Sequence, residues 1–272
     1  MSDVLAVFNS AKKEVPEHRY VLPGSGKEVL FRPFTTKDQK SILKAIEKND
    51  SILIQEAFDQ LLRNCVLTPN FDVEGLYSKD RECLLIELSK ESVRDEFTQA
   101  WECKMCGKEH TEEFKIEDLK YEEVIEDSIK NVEVEFEDVD FVVKLNNPSR
   151  GDEKKILALG KKKGENGEIS QTEVLLATFA SVIKEYKSLE KRSVKDDQGE
   201  TVEEEFEQFK AIKFDDRIKI FDQLTIRDKK KIEEFFNGVK NYGYDLKLGD
   251  KECKKCSEEN EVEADWFGFF LT

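Results

Sequence analysis

The chain has 272 residues, of which 38 % are charged and 38 % hydrophobic, and its formal net charge is −16. That length suits two domains better than one, and the acid excess argues against nucleic acid, whose phosphates are met by clustered Lys and Arg. Six cysteines make no disulfide scaffold, residues 1–15 lack the apolar run of a signal peptide, and no segment approaches a membrane helix. The expected setting is a reducing cytoplasm, where paired cysteines more often hold metal than form disulfides.

Residues 1–18 read as a short amphipathic N-terminal arm with Val4, Leu5, Val7 and Phe8 on one side, an arm expected to be ordered by a partner. Tyr20-Val21-Leu22, the turn Pro23-Gly24-Ser25-Gly26 and Val29-Leu30-Phe31 then predict a β-hairpin, closed off by Pro33. Thr36 with Gln39 three residues on is a capping box for a helix over 37–48. From Ser51, the apolar residues Leu53, Ile54, Ala57, Phe58, Leu61, Leu62 and Cys65 recur at helical spacing. A third helix is expected over 80–89. Strand-like stretches at 93–101 and 111–116 then flank the pair Cys103 and Cys106.

The second half repeats this order. A hairpin over 132–136 and 141–145, turning at Asp138, leads through Asn147-Pro148-Ser149 to a helix over 152–159. There Asp152-Glu153-Lys154-Lys155-Ile156-Leu157 echoes Asp38-Gln39-Lys40-Ser41-Ile42-Leu43. Val174, Leu175, Ala177, Phe179, Val182, Ile183 and Tyr186 predict one long helix over 172–189. Thr225 caps a helix through Phe236, and Asn237-Gly238 supplies a left-handed stop. Strands at 242–248 and 260–264 flank the second pair, Cys253 and Cys256. The helical echo is displaced by 114 residues and the cysteines by 150, so the second copy has gained material. Most of it is assigned to 191–207, read as a mobile charged insertion, with a similar loop at 160–167.

The two Cys-x-x-Cys pairs carry the main chemical signal. A two-residue gap lets a turn aim both sulfurs at one metal, and four thiolates satisfy a tetrahedral zinc ion. The favoured reading is one structural zinc shared by Cys103, Cys106, Cys253 and Cys256. Gly107 after Cys106 suits such a knuckle, and Ser257 in the second is a weakness. Three other readings stay open: two separate or degenerate knuckles, His110 as an extra ligand, and a dithiol redox pair. His110 reads more simply as an exposed residue at a strand start. A redox pair wants a helix N-terminus, which strand-like flanks do not offer. Cys65 and Cys83 fall on apolar helix faces and read as core.

Catalytic patterns are thin. The two histidines, His18 and His110, belong to no recognisable nucleophile motif. Pro23-Gly24-Ser25-Gly26-Lys27 lacks the spacing and following helix of a phosphate loop, so it is read as a hairpin turn. No enzyme is expected. The last residues, Trp266-Phe267-Gly268-Phe269-Phe270-Leu271, are either a strand or hook packed back on the core or an exposed anchor for a partner.

The run from Tyr20 through Leu22-Pro23-Gly24-Ser25-Gly26-Lys27 and Phe31-Arg32-Pro33-Phe34 to Leu43 resembles the opening of the baseplate hub proteins of T-even-type contractile-tailed phages. Gln60-Leu61-Leu62-Arg63-Asn64-Cys65-Val66 and Ser89-Lys90-Glu91-Ser92-Val93 extend the likeness, which covers about residues 19–118 and fades in the second half. The motif is structural and brings no catalytic residue with it. It implies a structural or assembly protein of the central hub, with other tail or hub proteins as partners, no nucleic acid and no membrane. It places the chain in the host cytoplasm during assembly or in the virion tail baseplate. The competing function is a zinc-ribbon module for nucleic acid or a transcription complex. Lys104, Lys108, Lys254 and Lys255 favour it, and Glu102, Glu109 and Glu252 dilute them. The expected fold is α+β: two related subdomains, 19–120 and 121–272, each a β-hairpin, a small helical bundle and a zinc-ribbon-like hairpin, clasped by one four-cysteine zinc site.

Overall fold

The computed structural model describes residues 15–48, 50–93, 95–124, 129–161, 171–195, 201–239 and 241–270. The apolar arm residues Val4, Leu5, Val7 and Phe8, most of the 160–167 loop and Leu271 lie outside them. The fold is mixed α+β, with small antiparallel sheets and eight α-helices among the described residues.

In the first half β1 (His18–Val21) pairs with β2 (Glu28–Phe31) around a turn closed by the Leu22 N–H on the Lys27 carbonyl at 2.9 Å. Helix α1 (Thr36–Glu47) begins one residue earlier than Thr36 and Gln39 suggested. Thr35, in extended backbone, is the N-cap, and Asp38 completes the box with it. Arg32 reaches Asp38 at 3.1 Å, so the hairpin's exit is pinned to the helix start. Asp50 caps α2 (Ser51–Cys65) by accepting from the Ile52 and Leu53 amides. Helix α3 (Ser78–Ser92) runs through the middle, with Cys83, Leu84, Leu85, Ile86 and Leu88 all buried. Apolar residues on every side are what a helix packed all round requires. The hairpin β3 (Glu96–Glu102) and β4 (Glu109–Lys115) follows, then the short β5 (Tyr121–Glu122).

The second half opens with β6 (Lys130–Glu135) and β7 (Val142–Asn146), then α4 (Arg150–Lys161) and α5 (Gln171–Ala180). Ser149 and Asp152 cap α4 reciprocally, at 3.2 and 3.0 Å. The single helix expected over 172–189 does not form. Helix α5 stops at Ala180, where the Ser181 hydroxyl donates to the Thr178 carbonyl at 2.6 Å. The chain then runs as β8 (Ile183–Lys195), because Ile183 and Tyr186 are claimed by pairing with Leu145 and Val143 of β7. Of the predicted mobile insertion 191–207, residues 196–200 lie outside the described residues, while 191–195 of β8 pair with 201–205 of β9 (Thr201–Ala211). Opposite charges meet across the two strands, as in Lys187 with Glu207 at 2.9 Å, so a charged sequence still favours a ribbon. Sheet order is β6-β7-β8-β9.

Helix α6 (Phe214–Gln223) and helix α7 (Ile226–Gly238), capped by Thr225 as expected, close this half's core around Val143, Ile183, Phe221 and Ile232. Gly238 is still helical and Val239 ends the helix in right-handed backbone, so the glycine is not the left-handed stop anticipated. Strand β10 (Gly243–Tyr244) crosses back to pair with β5. It is followed by the hairpin β11 (Lys247–Glu252) and β12 (Glu259–Glu263), and by α8 (Trp266–Phe270). The halves also meet where the Ser78 N–H donates to the Pro148 carbonyl and the Arg150 N–H to the Leu76 carbonyl.

Candidate metal centre

The two cysteine pairs sit at the tips of the β3–β4 and β11–β12 hairpins, and the backbone makes the same turn in both. The Cys103 N–H donates to Lys108 and the Gly107 N–H to Cys103, both at 2.9 Å. The Cys253 N–H donates to Glu258 and the Ser257 N–H to Cys253, both at 2.8 Å. Gly107 has φ 64° and Ser257 has φ 57°. Serine therefore accepts the left-handed conformation that glycine takes freely, and the second knuckle keeps its shape at a small steric cost.

The hairpins bring all four sulfurs within 4.8 Å of one another, a cluster that can hold a metal ion. Cys103 and Cys256 approach to 3.6 Å, and Cys106 and Cys253 to 3.7 Å, each contact crossing between the knuckles. A tetrahedron with metal–sulfur bonds of about 2.3 Å has edges of about 3.8 Å. The spacing fits an ion at the centre. Cys103 and Cys253 are buried, Cys106 is half-buried and Cys256 exposed.

Local donors favour ionised sulfur at the two buried positions. The Cys106 backbone N–H, aided by that of Met105 and by the facing thiols, brings the Cys103 thiol down to about 6. Burial opposes ionisation of Cys253, but the Lys255 and Cys256 amides outweigh it and lower its pKa. The Glu258 amide favours a Cys256 thiolate, yet burial and the protons shared with Cys106, Cys253 and Cys103 push that thiol up to about 12. Four close thiols cannot all ionise without a cation among them. By contrast burial alone is the main reason Cys65 and Cys83 rise to about 12, in keeping with inert core thiols.

Two further side chains reach the sulfurs. Asn260 is 2 % exposed; its Oδ1 accepts the Lys104 N–H at 2.9 Å, which leaves Nδ2 to face Cys103 Sγ at 3.6 Å. His110 is not an exposed strand-start residue: it is 8 % exposed, stacked on Trp101, with Nε2 3.3 Å from Cys253 Sγ. Neither contact follows from reading one knuckle alone. A signal was present, since both residues stand four places after the second cysteine of their pair.

Helix α8 fastens the second hairpin to the first. Phe269 packs on Phe97 with ring centres 4.5 Å apart, and Phe270 on Phe58 at 5.0 Å. Ser89 donates to the Phe269 carbonyl, and the Asp265 N–H donates to Gln99 at 2.7 Å. A Cβ at Gly268 would stand 2.9 Å from the Thr98 carbonyl oxygen, so the approach needs glycine. Of the two readings of the aromatic C-terminus, Phe269 and Phe270 take the packed one, in a short helix.

The glycine turn at 23–27 binds a carboxylate of its own chain. The Gly24 and Ser25 amides donate to Asp80 at 2.6 and 2.9 Å. Burial nevertheless holds the Asp80 carboxyl above its usual value. Between the halves Asp59 lies buried and accepts from Arg81 at 2.7 Å and from Arg150 at 3.0 Å. No local pattern announces that ionic junction, because its members are distant in the chain.

An α+β fold with a four-thiol cluster between two hairpins defines a scaffold that could hold a metal ion there. A family model described as T4 bacteriophage base plate protein matches residues 15–271, which include both hairpins and both halves. The chain belongs to this family of T4-type baseplate proteins. No curated protein and no solved structure matches it.

Proposed function

We propose that the chain is a structural or assembly protein of the central hub of a contractile-tail baseplate. It works by protein–protein contacts with other baseplate proteins and not by catalysis. The observation that carries this reading is the baseplate family match along nearly the whole chain, with both hairpins inside it. Its place of action is the host cytoplasm during assembly and the virion tail baseplate afterwards.

In this reading Cys103, Cys106, Cys253 and Cys256 hold one structural zinc. The soft four-sulfur donor set and its near-tetrahedral spacing support zinc over hard cations, which take oxygen ligands. When bound, the ion supplies a rigid cross-link between the hairpins. We further read the halves, 19–120 and 121–272, as a duplicated unit. The order hairpin, capped helix, helix, helix, knuckled hairpin occurs in both, with β8, β9 and α6 interposed in the second. The reciprocal caps Thr35–Asp38 and Ser149–Asp152 stand at matching places.

The test is affinity capture of the tagged chain from phage-infected cells, with mass spectrometry of what accompanies it. Tail and baseplate proteins are the expected companions. Capture of DNA or of transcription proteins in a salt-sensitive complex would favour the nucleic-acid reading instead.

A further inference from the structure

Each knuckle is completed by a side chain from the other hairpin. His110 of β4 reaches Cys253, and Asn260 of β12 reaches Cys103. The two sulfurs they touch are the buried members of their pairs. Cys253 follows Cys103 by 150 residues and Asn260 follows His110 by the same 150, so the contacts are related by the same displacement as the knuckles. We infer that His110 and Asn260 are a crossed pair of positioning residues, each donating a hydrogen bond to the buried thiolate of the opposite knuckle, so that neither hairpin holds the metal at full strength without the other. This rests on the zinc reading above.

The chemistry of the donors supports the assignment. A metal-bound thiolate carries lone pairs and no hydrogen, so a ring nitrogen 3.3 Å away must present N–H to it; a bare nitrogen would face it lone pair to lone pair. The stack on Trp101, ring centres 4.2 Å apart, fixes the imidazole's plane. Asn260 is held from two sides: its Oδ1 takes the Lys104 amide and its Nδ2 also donates to the Glu258 carbonyl at 2.9 Å. Its amide is therefore locked to the first knuckle's backbone as well as to its sulfur. Hydrogen bonds of this kind spread the thiolates' negative charge and fix the sulfur positions before the ion arrives. Partners that orient metal ligands in this way are worth about 10- to 100-fold in affinity.

The test is zinc affinity of the full chain, measured by competition with a chromophoric chelator, with the cobalt(II)-loaded form recorded alongside. His110→Phe keeps a ring against Trp101 and removes the donor; His110→Asn restores one in the form the second knuckle uses. His110→Phe and Asn260→Ala are each expected to weaken zinc by about 10- to 100-fold, while His110→Asn stays within a few fold of the parent. The cobalt–thiolate absorption should keep its four-sulfur intensity in all of them. Unchanged affinity in both His110→Phe and Asn260→Ala overturns the inference and leaves the zinc site standing. A changed cobalt coordination in His110→Phe makes His110 a ligand and also overturns it. A parent protein that binds no zinc overturns the zinc reading itself.

Discussion

The two larger apolar cores among the described residues are unequal. Among the described residues the first contains twenty-four buried apolar residues and the second ten, and three of the twenty-four, Ala264, Phe269 and Phe270, come from the far end of the chain. The larger core thus borrows the C-terminal segment, and the four-thiol cluster forms where that borrowed segment meets the first hairpin. The end of the second half, residues 243–270, packs with the first half in space. Phenylalanine packing holds them there, and the proposed metal site would be a second fastener of a different kind. Burial of aromatic rings acts over a broad surface and tolerates small shifts, whereas a four-coordinate ion requires all its donors at once.

On the zinc reading, the largest effect should come from removing the proposed ion. Stripping zinc with a strong chelator is expected to loosen the 247–263 hairpin and open it to protease, since metal-binding energy in such sites is folding energy. Limited proteolysis with mass mapping reads this out, and an equally resistant stripped protein would show that the phenylalanine fastener suffices. Phe270→Ala breaks the other fastener. It should cost about 3–5 kcal/mol in denaturant unfolding while leaving the zinc content unchanged, which separates the two.

Smaller effects compare the halves through their helix caps. Burial pulls the Asp38 carboxyl up, but hydrogen bonds from Arg32 and Thr35 outweigh it and leave it below the usual 3.8. Asp152 is likewise depressed, with Lys184 and Ser149 overcoming burial. A depressed carboxyl stabilises the fold fully above the unfolded value and loses that contribution as pH falls through the folded one. Stability should therefore drop below about pH 4, and Asp38→Asn and Asp152→Asn should each be weaker at neutral pH and less acid-sensitive. Equal acid slopes in parent and variants in a urea titration would contradict this. The smallest effect is Ser257→Gly, which relieves left-handed backbone in the second knuckle. It is expected to raise the melting temperature slightly, by the equivalent of at most about 1 kcal/mol.

Much of this was legible in the sequence, for identifiable reasons. The cysteine pairs have fixed spacing and the helices α2 and α7 have strong periodicity and caps, so local rules found them. The helix expected over 172–189 failed because Val182-Ile183 fit either period, and pairing with β7 decided the matter. Charge in the 191–207 stretch reads as solvation, yet 191–195 and 201–205 pair as strands, and opposite charges such as Lys187 and Glu207 meet across the same ribbon. His110, Asn260 and the Asp59–Arg81–Arg150 junction were out of reach because each depends on distant segments meeting. Repeat logic came closest: aligning the knuckles sets His110 against Asn260, although only the fold shows that their contacts cross.

The most direct measurement is the zinc content of the chain purified without added metal, by elemental analysis, beside Cys103→Ser and Cys253→Ser. One shared site predicts about one zinc per parent chain and near-complete loss in either variant, because each removes a donor from the same ion. Two zinc ions per chain, or full retention with one knuckle disabled, would contradict a single clasp between the halves.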